Sequence, residues 1–230
     1  KQALLRILPE NVAFGTIPEL IGFACSNKIM HNGHLLRFSE KTFAWINHPT
    51  FQRLHNLNQL GFLFYVYPGA RHSRFTHSLE SFEVARSLIL NLLNDNAFRF
   101  LLNEGDISLF LATALCHDIG HYPMAHLFEE LRSPVLSSNL WDLSNIRADY
   151  EMTEYFLRSE FNSTETLWDL LQRDKIDPSR MVRLLSKQTS SIDIESIMQD
   201  LLEGMFDVDK LAYLRYDSLV SSVSYGVSLH

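Results

Sequence analysis

Apolar residues at Leu79, Phe82, Val84, Ala85, Leu88 and Leu92 recur at the spacing of one helix face. They predict a helix over THSLESFEVARSLILNLL, residues 76–93, with Thr76 as its cap. DISLFLATALCHDIGHYPM, residues 106–124, is apolar nearly all round, which predicts a buried helix. Asp106 would cap that helix and Pro123 would stop it. Residues 34–61 read as helix in two pieces, the second starting at Pro49. GFLFYVYPGARHSRF, residues 61–75, is rich in aromatic residues and breaks at Pro68-Gly69, predicting a short strand and a turn. YEMTEYFLRSEF, ETLWDLLQRD and PSRMVRLLSKQ read as three short amphipathic helices, and residues 192–227 as two helices interrupted near Gly204. Residues 132–145 read as a surface loop, and residues 1–33, punctuated by Pro9, Gly15, Pro18, Gly22 and Gly33, as a loose lead-in. The pattern therefore predicts an all-α domain over residues 34–230, with at most a short β-hairpin near residues 62–70 and no βαβ alternation.

Composition narrows the setting more than the chemistry. With 230 residues, 46% of them hydrophobic, the chain can bury a substantial core. No apolar run is long enough to predict a membrane span, and no secretory signal is visible, although the first residue is Lys1. Cys25 and Cys116 have no metal or redox spacing, which fits a reducing compartment, so a cytoplasmic location is expected. The net charge of −7 argues against extended nucleic-acid binding. It leaves room for an anionic substrate held by a few local cations.

The candidate chemistry lies in ATALCHDIGHYPMAH, where His117, Asp118, His121 and His126 interrupt a segment patterned for burial. An isolated buried carboxylate costs several kcal/mol to desolvate unless a partner or a metal offsets it. His121 follows His117 by about one turn, so both rings can face one cavity. His77 lies near the start of another helix, and Asp207 and Asp209 come much later. Imidazoles mixed with carboxylates suit Fe, Mn, Zn, Co or Ni. Capped helix ends and satisfied core histidines would account for the same residues, and spacing alone does not choose between the two.

Four segments in order do. FQRLHNLNQLG, VYPGARHSRFTHSLE, LCHDIGHYPMAHLFEE and FDVDKLAYLRYDS together resemble the HD-domain phosphohydrolase superfamily, and within it the deoxynucleoside triphosphate triphosphohydrolases and their uncharacterised relatives. The resemblance covers roughly residues 34–130 and 195–228 and implies an HD-domain helical bundle. It implies one divalent transition-metal ion (Mn, Fe, Co, Ni or Zn) on His77, His117, Asp118 and Asp209, with Mg able to accompany the substrate. His121 and His126 match catalytic or supporting histidines, with His126 the nominee for proton transfer, and Glu129 matches an acid near the active site. Gln59 matches a sugar contact, and Arg74, Lys210, Tyr213 and Asp217 match phosphate- and sugar-facing positions. A nucleotide substrate and a homo-oligomer are the implied partners.

The spacing is compatible with that transfer. Asp209, Tyr213 and Asp217 would lie along one helix face. Arg74 offers a planar fork of donors, and Lys210 follows a ligand directly, so both are expected to contact phosphate while leaving metal content intact when replaced. The chain departs from the family at Tyr150-Glu151, where a His-Glu pair is usual, at Ala212, where an acid is common, and at Ser221-Ser222 in place of Thr-Gly. It also ends at His230, near where relatives continue, so a C-terminal truncation is expected. His72 reads equally as a turn residue or a ligand. His31, His34, His48 and His55 read as structural or surface, Tyr65 and Tyr67 as core aromatics, and Asp207 as a cap or a partner of a ligand. The leading expectation is hydrolysis of a dNTP to deoxynucleoside plus triphosphate. The alternatives are an HD enzyme for another nucleotide (a monophosphate or signalling nucleotide) and a non-catalytic HD metal- or nucleotide-binding module.

Overall fold

Every residue from Leu109 to Cys116 is buried. The computed structural model describes residues 17–21, 25–31, 34–123, 149–161, 163–186, 194–205 and 207–221. After a short helix α1 (Pro18–Ile21), strands β1 (Asn27–His31) and β2 (His34–Phe38) form an antiparallel hairpin. Helices α2 (Glu40–Asn47) and α3 (Pro49–Gln52) lead into a 3-10 turn, Arg53–Asn56. There follow α4 (Arg74–Leu92), α5 (Asn96–Leu101), α6 (Glu104–Cys116) and a second 3-10 turn, His117–Gly120. The remaining helices are α7 (Asp149–Leu157), α8 (Leu167–Arg173), α9 (Pro178–Leu185), α10 (Ile194–Glu203) and α11 (Val208–Ser221). Helix α4 packs against both α6 and α11, α9 packs on α6, and α7 packs on the His117–Gly120 turn. No helix among the described residues is long and apolar enough to cross a membrane.

The all-α expectation holds, but the hairpin lies elsewhere. Residues 61–71 contain turns and one 3-10 turn, Leu63–Tyr65, rather than a strand. A strand needs a neighbour to cover alternate side chains, yet Phe62, Tyr65 and Val66 are 54%, 77% and 71% exposed. Tyr65 and Tyr67 are therefore surface residues, not core aromatics. The ends of the loop are pinned where Gln59 N–H donates to His72 O at 3.0 Å. The hairpin at 27–38 had its own sequence signal, Asn32-Gly33 between two short runs. It joins residues on both sides of position 33, where the lead-in was expected to end, and buries Leu36 and Phe38 in the core. Residues 34–38 are consequently strand, and α2 begins only after its cap, Ser39.

Two helix caps also differ from expectation, each for a geometric reason. Helix α4 starts at Arg74 because Ser73 Oγ accepts the Thr76 N–H; Thr76 is the receiver of the cap. Helix α6 starts at Glu104 in a reciprocal capping box, Asn103 accepting from Asp106 N–H and Asp106 accepting from Asn103 N–H. Asp106 is thereby left to bind Arg180 Nη2 of α9 at 3.1 Å. Pro123 is not the stop of α6, since the helix tightens into the 3-10 turn after Cys116, well before the proline. The interruption at Gly204 is where expected, and a Cβ there would lie 2.2 Å from Asp200 O.

Two stability effects follow from these contacts. Asn103→Ala should lower unfolding free energy by about 1 kcal/mol through loss of the cap. Gly204→Ala should cost more, about 1–3 kcal/mol, because the carbonyl it strikes belongs to the helix itself. Denaturant titration of both variants beside the parent checks the values and their order.

Candidate metal centre

Three separated elements bring their acids and imidazoles to one place. Helix α4 supplies His77, the turn after α6 supplies His117 and Asp118, and the first turn of α11 supplies Asp209. The 3-10 turn is what makes the adjacent pair useful, because it departs from the buried helix at the point where His117 and Asp118 can reach α4. His77 Nε2 lies 2.8 Å from Asp209 Oδ1, 3.3 Å from His117 Nε2 and 3.9 Å from Asp118 Oδ2. His117 Nε2 lies 3.5 Å from Asp209 Oδ1 and 3.6 Å from Asp118 Oδ1. Ligands each about 2.1 Å from one ion are roughly 3.0–3.5 Å apart, so these separations fit a shared cation. One donor atom each from His77, His117 and Asp118 lie within 4.8 Å of one another, and Asp209 approaches this trio through the two histidines.

Hydrogen bonding prepares the donors. His117 Nδ1 is 2.9 Å from the Ala114 carbonyl, which can only accept, so Nδ1 carries a hydrogen and Nε2 faces the cluster. Asp118 Oδ1 accepts from Arg74 Nη1 at 2.8 Å and lies 3.2 Å from His121 Nδ1, while Oδ2 is buried without a hydrogen-bond partner. A carboxylate with one oxygen unpartnered among the described residues, beside the imidazoles of His77 and His117, is the donor set a divalent ion of borderline softness takes. Cys116 precedes His117 but is not among the converging donors, and complete burial pushes its thiol up to about 12.

The charges of the cluster are interlocked. Burial alone would depress the His117 imidazole, but Asp118 and Asp209 outweigh it and hold the group up, at about 9. Burial would raise the Asp118 carboxyl, yet Arg74 and then His117, His121 and His77 keep it well below the usual carboxylate range. Asp209 is likewise held low against burial by His117 and His77. The neighbouring acids thus favour a positive charge at His117, and a metal held there would take the place of a proton on its Nε2.

The other expected residues divide sharply. Arg74 is buried and committed to Asp118. Asp217 faces His72, with Oδ1 3.1 Å from His72 Nε2, so His72 is a buried partner of that acid and neither a turn-surface residue nor one of the converging donors. Gln59 Oε1 is buried without a hydrogen-bond partner, and Tyr213 is half-buried on α11. Lys210 is turned to Asp207, donating from Nζ to Oδ2 at 2.7 Å, while Asp207 Oδ1 accepts the Lys210 N–H at 2.6 Å and so caps α11. His126 and Glu129 lie outside the described residues, as does the side chain of Tyr150. Ala212 is fully buried in the apolar core. Among the histidines read as structural, His48 caps α3 through Nδ1, His31 pairs with Glu80 at 2.7 Å, and His55 stacks on Phe75.

Sequence reasoning passed over Arg53 and the group formed by His31, Glu80 and Arg215. Arg53 sits inside one of the four quoted segments, but nothing local distinguishes it from a surface arginine. Glu80, one turn beyond His77, binds both His31 and Arg215 and lines a cavity of about 580 Å³ bounded by the hairpin, α4 and α11. That cavity contains none of the four converging donors, so their convergence, not hollow space, marks the centre.

Comparison with known proteins identifies a family with this fold. The HD domain family matches residues 74–200, the stretch from Arg74 through α10. The MG461 homologue of Mycoplasma pneumoniae, an uncharacterised protein, is 31% identical over 187 residues, covering 80% of this chain and 40% of its own length. Deoxynucleoside triphosphate triphosphohydrolase SAMHD1 of Bos taurus is 39% identical over 98 residues, 43% of this chain and 16% of that protein. A crystal structure of a hypothetical protein from Aquifex aeolicus superposes with a TM-score of 0.67 at 26% identity, over 87% of this chain and 48% of that one. This chain thus spans less than half the length of these relatives. With a match that takes in His77, His117 and Asp118, the chain belongs to the HD domain family.

Proposed function

We propose that this chain is a metal-dependent phosphohydrolase of nucleotides, and that it converts a deoxynucleoside triphosphate to the deoxynucleoside and triphosphate. The observation that carries this reading is the convergence of His77, His117, Asp118 and Asp209 from three separated elements. In the proposed reaction water adds to the α-phosphorus, the bond to the 5′ oxygen breaks, and that oxygen leaves with a proton. One divalent ion (Mn, Fe, Co, Ni or Zn), held by the four donors, would polarise the phosphoryl group under attack; Mg can accompany the substrate. His126 is the proposed proton donor, with His121 and Glu129 supporting it. Gln59, whose buried Oε1 lacks a partner, and Asp217 and Tyr213 on α11 are the proposed sugar contacts. Arg74 and Lys210 are the proposed cations for the triphosphate. The similarity to SAMHD1, over 98 residues of this chain, supports the nucleotide reading. A homo-oligomer, with residues 34–230 as its HD domain, belongs to the same proposal and is tested by sedimentation.

The deciding experiment is a screen of the purified protein against deoxynucleotides, ribonucleotides and signalling nucleotides with Mn, Fe, Co, Ni and Mg. Release of intact triphosphate supports the proposal. Release of phosphate from another nucleotide assigns a different HD substrate, and binding without turnover leaves a metal- or nucleotide-binding module. The pairing of Lys210 with Asp207 is the feature most favourable to that last reading, because it ties up a cation otherwise available to phosphate.

Asp118→Ala should abolish metal content and activity together, as read by elemental analysis and product assay. The two cations should behave differently. Lys210→Ala should retain the metal and lose roughly 10- to 150-fold in kcat/KM, the effect of one charge-assisted phosphate contact. Arg74→Ala should lose metal as well, contrary to the expectation from spacing alone, because its guanidinium bonds Asp118 Oδ1 and is the foremost of the charges that keep this buried carboxylate ionised. Metal analysis and kinetics on the same preparations distinguish these outcomes; parental activity in Lys210→Ala would remove Lys210 from the phosphate site.

A further inference from the structure

The turn that presents His117 and Asp118 is a single 3-10 turn with few internal bonds of its own, so its orientation depends on what grips it from outside. One side chain grips it twice. Arg53 Nη1 donates to His121 O at 2.7 Å, and Nη2 donates to Ile119 O. These carbonyls close the segment that carries the His-Asp pair, and carbonyls at the end of a helical turn attract cations. The guanidinium also lies 3.8 Å from the centre of the Phe156 ring on α7, the helix packed on the same turn. Arg53 itself opens the 3-10 turn that packs against α4, the helix bearing His77. It therefore ties together the elements that supply His77, His117 and Asp118. Burial, and then the nearby Arg74, lower its guanidinium to about 10, which leaves it charged at neutral pH.

We infer that Arg53 is a positioning residue for the metal centre: by holding the Ile119 and His121 carbonyls with one planar fork, it sets where His117 and Asp118 stand relative to His77. This inference rests on the metal-centre reading above and adds a residue that makes no contact with the ion. A guanidinium can bridge two carbonyls with parallel donors, whereas a lysine ammonium lacks that fixed fork. Neighbours that orient metal ligands in this way change metal affinity by about 10- to 100-fold when removed.

The test uses the full chain, stripped of metal, titrated with Mn²⁺ alone by calorimetry, with thermal unfolding followed in parallel. Arg53→Met should weaken Mn²⁺ binding on the order of 10- to 100-fold, and Arg53→Lys should recover part of that loss. Phe156→Leu, which removes the ring beneath the guanidinium and keeps both carbonyl bonds, should lower the unfolding temperature and leave Mn²⁺ affinity unchanged. Mn²⁺ affinity equal to the parent's in Arg53→Met overturns the inference. It is equally overturned if Phe156→Leu loses affinity in the same proportion to stability, because the role is then general packing. Should Arg53→Met fail to fold, Arg53→Lys decides, and parental affinity in that variant overturns the role of the fork. Absence of Mn²⁺ binding in the parent itself removes the metal-centre reading, and the role of Arg53 falls with it.

Discussion

A carboxylate in the interior is the constraint around which this molecule is arranged. Asp118 follows directly on an apolar helix and is almost completely buried, where an unpaired charge is severely penalised. Arg74 offsets that penalty with a bond of 2.8 Å, and His117, His121 and His77 surround what remains. Every one of these partners is itself nearly inaccessible or half-buried, so none can leave without exposing another unpaired group. Removing one member of such a network costs about 3–5 kcal/mol, which explains why a charged cluster can persist inside a core of Phe38, Phe51, Phe82 and Phe110.

Positioning of the cluster is distributed over contacts that look unremarkable one at a time. Ser73 decides where α4 begins and hence where Arg74 and His77 sit on it. Asn103 and Asp106 start α6 at Glu104, two residues before that aspartate, and the spare oxygen of Asp106 draws in Arg180. Asp207 caps α11 immediately ahead of Asp209 and holds Lys210 at the same time. Arg53 joins the turn after α6 to α7 and to the neighbourhood of α4. The ordinary work of ending and starting helices thus doubles as alignment of the four donors. Functional geometry here is inherited from cap geometry.

Much of this was readable from the chain alone, because it depends on local periodicity and local chemistry. The 3.6-residue spacing after Thr76, the unbroken apolar character after Asp106 and the break near Gly204 are consequences of neighbouring residues, and each corresponds to an element found in the fold. The order of the four motifs identified the residues that converge, since His77, His117, Asp118 and Asp209 carry their chemistry wherever the backbone takes them. The family assignment followed from that order.

What periodicity could not decide was which partner each side chain would meet. Aromatic residues 62–67 have the composition of a strand, but among the described residues no strand pairs with them, whereas Asn27–His31 pairs with His34–Phe38, which packs on α1 and α2. Arg74 and Lys210 looked equivalent as cations beside ligands; tertiary contacts commit one to the buried Asp118 and the other to Asp207. His72 could be read two ways until α11 placed Asp217 beside it. Sequence by itself determined the helical periodicity and the identity of the imidazoles and carboxylates that converge, because both reside in local covalent chemistry. Burial and long-range ion pairing, which depend on segments far apart in the chain, were decided only when those segments packed together.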